Sequence, residues 1–208
     1  DFLKSILKRL VRSEWPVILG ISLYCIFYYY ASTLYPGGSQ ANIHTYGFDW
    51  INNYWCNLLN ERALNGQVNP ARTYAIFGTV VLSLTMIWFF VRFALLLSVN
   101  KSYQSTIIAF GIISMVFAIF LYTSYHDIAS ILSGGAGVIA LTASFYQLYL
   151  HKRFSSVYYG LWCMAIIAIN NFIYFSGFKL EWLPLIQKAT LLFIFGWVLT
   201  VNQALSKI

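Results

Sequence analysis

The sequence predicts an all-α membrane protein, a single domain in which six transmembrane helices form a bundle. The 208 residues are 60% hydrophobic and only 9% charged, whereas about 25% of the residues in a soluble domain are charged. Apolar runs of about 20 residues recur along the chain, and this is the length that crosses a bilayer as a helix. The runs are continuous and do not alternate with polar residues, so they indicate helices and not barrel strands.

The predicted spans follow the apolar runs and are joined by short polar connections. The second span begins after Asn69-Pro70, because asparagine is a favoured helix cap and proline is tolerated in the first turn. In the fourth span, Ser130, Ser133 and two glycines recur about every four residues, a spacing that lets another helix approach closely. The spans are predicted at residues 15–35, 70–97, 105–123, 128–150, 156–175 and 182–204.

Basic residues flank the spans unevenly and predict the orientation. Residues 1–14 predict a short interfacial helix with a basic side, although a plain basic flank is an equal alternative. With six spans, both ends of the chain lie on one side, and nine of the 13 Lys and Arg residues fall there. The positive-inside rule therefore predicts a cell (inner) membrane protein with cytoplasmic N and C termini. The net charge of +7 does not indicate a nucleic acid partner, because the cations lie beside the spans.

The one long polar insert, residues 36–69, is predicted to lie on the outer side. Within it, residues 48–63 (FDWINNYWCNLLNERA) predict an amphipathic interfacial helix. At about 100° per residue, the Trp, Tyr and Leu side chains share one face, which suits the membrane–water interface. The other face carries amides, which can both donate and accept hydrogen bonds. The residues predicted to bind a partner or lipid are Trp50, Asn52, Asn53, Trp55, Asn57 and Asn60.

The outer histidines and aspartates are the candidates for catalysis. His44, Asp49, His126 and Asp127 could share proton transfer, and His44 and His126 are weak candidates for holding zinc. No metal-ligand spacing and no hydrolase nucleophile motif is present, so no cofactor is predicted outright. Neighbouring residues of a helix point about 100° apart, so His126 and Asp127 are not expected to pair. Ser124 and Asp127 instead have the spacing of a capping box.

Polar side chains near the outer ends of the spans allow further roles. Cys56 would be reactive only beside a base or cation, and its commoner role is that of a small filler. Lys188, about two turns into the sixth span, is costly in hydrocarbon. It could pair with an outer acid such as Asp127 or Glu181, or equally extend its side chain to the outer surface. Asn170 and Asn171 could line a cavity or form hydrogen bonds between helices.

Short motifs in the insert resemble those of a family of uncharacterised bacterial multi-span membrane proteins. They are YPGGS at residues 35–39, GFDW at 47–50, NYWC at 53–56, NG at 65–66 and NPAR at 69–72. That family is loosely similar to the FGF-receptor-activating-protein and autophagy-modulator membrane family. The resemblance covers about a fifth of the chain. It implies a six-helix membrane protein and supplies no activity and no catalytic residues.

Two functions follow as expectations. The first is an integral membrane protein without a catalytic motif, an accessory or scaffold subunit that binds a partner protein or membrane lipid through its outer insert. Its expected partners are other membrane protein subunits. The alternative is a membrane-surface lipid hydrolase or transferase, metal-dependent in some versions, that uses His44, Asp49, His126 and Asp127.

Overall fold

Six long apolar helices make up most of the computed structural model, which describes residues 9–207. Each helix is long and apolar enough to cross a membrane, and the described residues form no strand beyond two isolated bridges. The predicted six-helix membrane bundle is confirmed, and the chain is a multi-pass membrane protein. The helices are α1 (Trp15–Leu34), α2 (Ala71–Leu97), α3 (Lys101–Ile119), α4 (His126–Leu150), α5 (Phe154–Ser176) and α6 (Leu183–Leu205).

The helix ends lie within a few residues of the predicted spans. The largest difference is at α3, which begins at Lys101 and so includes polar residues that a search for apolar runs leaves out. The cause is a cap, because the side-chain oxygen of Asn100 accepts a hydrogen bond from the main-chain N–H of Tyr103 at 3.0 Å,. The helix then ends in a short 3₁₀ turn, Phe120–Tyr122.

Helix α2 lies at the centre of the bundle. It packs along α1 and α3 and also touches α4 and α6. Its buried face includes Phe89 and Phe93, and the ring of Phe89 meets the edge of the Trp197 ring on α6 with centroids 6.0 Å apart. Helices α5 and α6 pair mainly with each other. The core therefore sits around α2, and the α5–α6 pair is attached to it chiefly through α6.

The small residues of α4 meet α3, as their spacing predicts, but only along part of their length. The hydroxyl of Ser114 on α3 donates to the main-chain oxygen of Ser133 at 2.8 Å. A Cβ atom added at Gly137 would lie 3.1 Å from the Ser114 hydroxyl, so a larger residue there would fit only if this hydroxyl moved by a few tenths of an ångström. A Cβ atom at Gly134 would meet open space. Only the part of this stripe nearest Gly137 is therefore covered by another helix.

Arg92, near the end of α2, is fully buried and uses all of its N–H groups. A guanidinium has five such donors. The Nε donates to the main-chain oxygen of Val11 at 2.8 Å, and Nη1 donates to both the main-chain oxygen (2.8 Å) and the side-chain oxygen of Asn202. The Nη2 donates to the Arg12 main-chain oxygen at 3.3 Å and to the Ser206 hydroxyl at 2.7 Å.

This hub fastens the first and last described segments to the central helix. The Asn202 amide also donates to the main-chain oxygen of Glu14 at 3.0 Å, which adds a second link between the same segments. Arg92 is therefore a structural cation, unlike the exposed flanking charges with which the orientation prediction counts it. Of the predicted interfacial helix at residues 1–14, residues 9–12 are helical and residues 1–8 lie outside the described part.

We expect Arg92→Lys to destabilise the protein strongly, because lysine keeps the charge but loses the planar fork of donors. Several buried acceptors would be left without a donor, at a cost of about 3 kcal/mol in the free energy of unfolding. Denaturation of the purified protein in detergent measures this. Arg153→Lys is the matched control, because the Arg153 side chain makes no hydrogen bond or ion pair among the described residues. Similar losses in the two variants would contradict a structural role for Arg92.

Candidate functional site

Residues 35–70, named the cap, join α1 to α2 at the end of the bundle opposite the Arg92 hub. The prediction of one continuous helix over residues 48–63 is wrong. Residues 50–53 form a turn, and the only helical piece is a 3₁₀ helix, Trp55–Leu59. The cap is thus mostly irregular chain, and side-chain hydrogen bonds hold it against the ends of the helices.

Asp49 begins the turn at residues 50–53. Its carboxylate accepts the main-chain N–H groups of Ile51 at 2.9 Å and Asn52 at 3.1 Å, and the Asn52 amide at 2.8 Å. A carboxylate that binds the N–H groups two and three residues ahead caps the first turn of a helix or an isolated turn, because those N–H groups have no other partner. Burial alone raises the pKa of Asp49, but the hydrogen bonds from Asn52 and Ile51 outweigh it, so the pKa lies below its ordinary value.

The Asn69 side chain favours the 3₁₀ helix over a continuous α-helix, because it binds the main-chain oxygens there. The amide nitrogen donates to three main-chain oxygens, those of Asn57 (3.2 Å), Leu58 (3.2 Å) and Asn60 (2.9 Å). The amide oxygen accepts from the N–H of Ala71 at 3.1 Å and so caps the start of α2,. One buried side chain therefore fixes the end of the cap to the beginning of a span.

The amide face that was predicted to be exposed is partly inside the cap. Asn53 is 0% exposed, and its side chain accepts from the Asp49 N–H at 2.8 Å and donates to the Gly38 oxygen at 2.9 Å. Gly38 adopts a φ of +84°, and a Cβ atom there would lie 2.5 Å from the Asn65 nitrogen, so the turn needs glycine,. Asn57 is 2% exposed. The prediction that Asn53 and Asn57 face a partner is wrong.

Lys188 of α6 extends into the cap and holds it. Its ammonium donates to the main-chain oxygens of Asn53 at 2.5 Å and Pro184 at 3.0 Å. It also lies 5.7 Å from the ring centroid of Phe48 and 5.6 Å from that of Trp55, within the range of cation–π attraction,. The side chain therefore ends inside the cap and not at the surface, and the ion pairs of the described residues do not include Lys188.

Cys56 lies half-buried in the cap beside this ammonium. Burial raises the pKa of its thiol to about 11, and the nearby Lys188 charge offsets only part of that rise. The neighbouring tyrosine is affected in the same way, because burial raises the pKa of Tyr54, with smaller contributions from Cys56 and Tyr174. The thiol is therefore protonated near neutral pH, which disfavours a nucleophilic role.

The cap exposes apolar and aromatic side chains. Tyr46 is 99% exposed, Trp50 is 45% exposed and Ile51 is 61% exposed. Trp50 lies on the rings of Phe48 and Trp55, each with its centroid 5.4 Å away. Of the other predicted binding residues, Asn60 is exposed, and Asn52 and Trp55 are half-buried.

His126 and Asp127 form a pair at the start of α4, contrary to the expectation from helix geometry. The Nδ1 atom of His126 lies 3.2 Å from the carboxylate of Asp127. Both side chains are partly exposed at the first residues of the helix, where they are free to turn toward each other. The predicted capping box with Ser124 is also wrong, because the N-cap residue is Tyr125, whose side chain makes no capping hydrogen bond to the first turn of α4. The main-chain N–H of Tyr125 itself donates to the Thr123 hydroxyl at 3.3 Å.

The four candidate catalytic residues do not form one site. His44 is exposed in the cap, where its N–H donates to the Asn42 side chain at 2.9 Å, and Asp49 holds the cap turn. Within residues 9–207, no three His, Cys, Asp or Glu side chains come close enough to hold a metal ion. Zinc binding at His44 and His126 therefore stays a prediction, and neither histidine belongs to a group of three possible ligands among the described residues.

Asn170 and Asn171 line a cleft between α4, α5 and α6 at the cap end, one of the two roles that the sequence allowed for them, whereas the part played by Tyr174 and Gln187 was not predicted. The Tyr174 hydroxyl donates to the Asp127 carboxylate at 3.4 Å across its mouth. The Asn170 amide nitrogen donates to the Thr190 hydroxyl at 2.5 Å, while its buried oxygen has no partner among the described residues. The Asn170–Thr190 bond joins α5 to α6, which is the other role that the sequence allowed for the amides at 170 and 171. The lining residues are His126, Asp127, Ser130, Asn170, Asn171, Tyr174, Phe175 and Gln187.

Comparisons with protein-family models, with curated proteins and with solved structures found no match to this chain. The fold and the site nevertheless define a class. The chain is a multi-pass helical membrane protein that carries a folded cap on one end and a polar cleft beside it.

The Cys56 thiol gives a direct test of the cap structure. With a pKa of about 11, it should react with iodoacetamide at pH 8 roughly 100-fold more slowly than an ordinary exposed thiol, and the rate should rise about tenfold per pH unit up to pH 10. The control carries Gln67→Cys and Cys56→Ser, and Cys25 and Cys163 are replaced by alanine in both proteins. Equal rates at pH 8 would show that the cap is open around Cys56.

Proposed function

We propose that this protein is a non-catalytic integral membrane protein, an accessory or scaffold subunit whose cap binds another membrane protein. The observation that carries the proposal is the pairing of a tightly bonded cap interior with exposed Trp50, Ile51 and Tyr46. Tyrosine and tryptophan are enriched among the residues that dominate protein interfaces. An exposed surface of this composition indicates a binding surface more than a solvated loop.

The internal bonds of the cap support a protein partner in preference to a lipid surface. Asn53, Asn69 and Lys188 hold the irregular backbone in one conformation through hydrogen bonds to main-chain oxygens. A surface ordered before binding loses little conformational entropy on association, which favours a shaped protein partner. A bilayer surface needs no fixed shape, because flexible aromatic side chains partition into it equally well.

The proposed orientation places the cap outside the cell membrane and the chain ends in the cytoplasm. The support is the excess of Lys and Arg at the end opposite the cap,. Arg92 and Lys188 both act structurally, one at each end of the bundle, so removing them from the count leaves the excess unchanged in sign. The cap would then meet the outer domains or outer loops of its partner.

Site-specific photocrosslinking in intact membranes tests the proposed partner surface. Benzoylphenylalanine is placed at position 50, at position 46 and, as a control at the opposite end, at Lys101, which is also exposed. We expect the same protein adduct from positions 46 and 50 and none from position 101. The complex should also lose its native-gel band in Trp50→Ala, because an aromatic anchor typically contributes more than about 2 kcal/mol to binding.

Two results would overturn this proposal. One is crosslinking at positions 46 and 50 to lipid alone, which would assign the exposed aromatics to the membrane interface. The other is a protein adduct of equal yield at position 101, which would show that the adducts do not depend on the cap.

A membrane-surface lipid hydrolase or transferase is the second candidate, and the His126–Asp127 pair beside the cleft favours it. A histidine oriented by a carboxylate can act as a general base. Hydrolysis of a fluorescent phospholipid by the purified protein, together with its zinc content, tests this candidate. Turnover that is lost in His126→Ala and kept in His44→Ala would support it. Turnover that is absent with and without added zinc would count against it.

A further inference from the structure

Helices α4 and α5 are in contact near their connection, since Phe145 lies against Gly160 and the rings of Tyr149 and Phe154 are 5.6 Å apart. At the cap end, the Tyr174 hydroxyl on α5 reaches the Asp127 carboxylate on α4. Next to this contact, both helices leave large apolar side chains exposed, namely Ile131 and Leu132 on α4, and Ile169 and Phe172 on α5. Exposed apolar faces of two spans therefore flank the cleft.

The polar lining is confined to the depth of lipid headgroups. Ser130 lies four residues inside the start of α4, and Asn170 lies six residues inside the end of α5. At about 1.5 Å per residue, these positions are about 6–9 Å below the helix ends. This is close to the thickness of the headgroup layer on each side of the hydrocarbon core. Below that depth, only apolar surface of α4 and α5 continues.

The lining has the chemistry of a site for a group that donates hydrogen bonds. It contains the Asp127 carboxylate and no Lys or Arg. The buried side-chain oxygen of Asn170 accepts no hydrogen bond within the described residues, and a buried acceptor without a donor costs about 1–3 kcal/mol. The first turn of α4 adds the main-chain N–H groups of Asp127 and Ile128, which have no hydrogen-bond partner among the described residues and suit a phosphate, whereas the His126 N–H donates to the Thr123 oxygen at 3.2 Å,.

We propose that this cleft binds the headgroup of a membrane phospholipid that carries a primary amine. The ammonium donates to the Asn170 oxygen and the Asp127 carboxylate, and the phosphate lies at the first turn of α4. The acyl chains follow the exposed apolar faces of α4 and α5. The proposal is independent of the partner surface on the cap, because none of its residues belongs to residues 35–70.

Native mass spectrometry of the delipidated protein in detergent tests this site. The probes are dioleoylphosphatidylethanolamine, dioleoylphosphatidylcholine, which has a cationic group without N–H donors, and dioleoylphosphatidylglycerol, which has no amine. We expect the ethanolamine lipid to bind about tenfold more tightly than the other two. Asp127→Asn and Asn170→Leu should lower its affinity to that of the choline lipid, whereas Glu61→Gln, an exposed acid of the cap, should not change it.

Asp127→Asn is the decisive variant, because the Asp127 side chain is exposed and asparagine keeps its size and an oxygen that can accept from Tyr174. Equal binding of the three lipids by the wild-type protein would overturn the proposal. Unchanged preference for the ethanolamine lipid in Asp127→Asn would overturn it as well, since the amine would then be held elsewhere. Thermal unfolding of each variant, compared with wild type, identifies any loss of binding that arises from unfolding.

Discussion

Main-chain groups at a membrane boundary must find partners inside the protein, and in this chain polar side chains supply them. At the cap end, Asn69 binds three main-chain oxygens and Asn53 joins two distant parts of the cap. At the other end, Arg92 supplies five donors to segments from both ends of the described chain. A buried amide or guanidinium without these partners would be costly. At both ends of the six-helix bundle, polar side chains therefore form the hydrogen bonds that the main-chain groups need.

The fold class and the helix ends could be predicted because they depend on one property, the length of apolar runs. The cap could not, because the same spacing of Trp, Tyr and Leu is compatible with a helix and with a turn followed by a 3₁₀ helix. Asn69 favours the second, because its amide binds the main-chain oxygens of Asn57, Leu58 and Asn60. Asparagine side chains compete with helical hydrogen bonds in this way, and residues 49–60 themselves contain four asparagines,. Periodicity alone carried no information about that competition.

Some features of the candidate site could likewise be predicted from the sequence, and others could not. Both roles that the sequence allowed for Asn170 are seen, a bond between helices and a place in the lining of a cleft. The sequence could not show that Asn53 turns inward, because an amide suits an exposed face and a buried one equally. It could not show that Lys188 ends inside the cap either, because the fold of the cap around its ammonium is a property of tertiary packing. The His126–Asp127 pair arises from its place at a helix start, a boundary that shifted by two residues from the prediction.

The contacts of the Lys188 ammonium have a consequence for how the cap responds to salt. Its ammonium is bound by two main-chain oxygens and two aromatic rings, all of them neutral and in direct contact. Dissolved salt weakens attraction between separated opposite charges far more than it weakens short-range contacts of this kind. The cap should therefore keep its shape in dilute and in concentrated salt alike, whichever side of the membrane it faces.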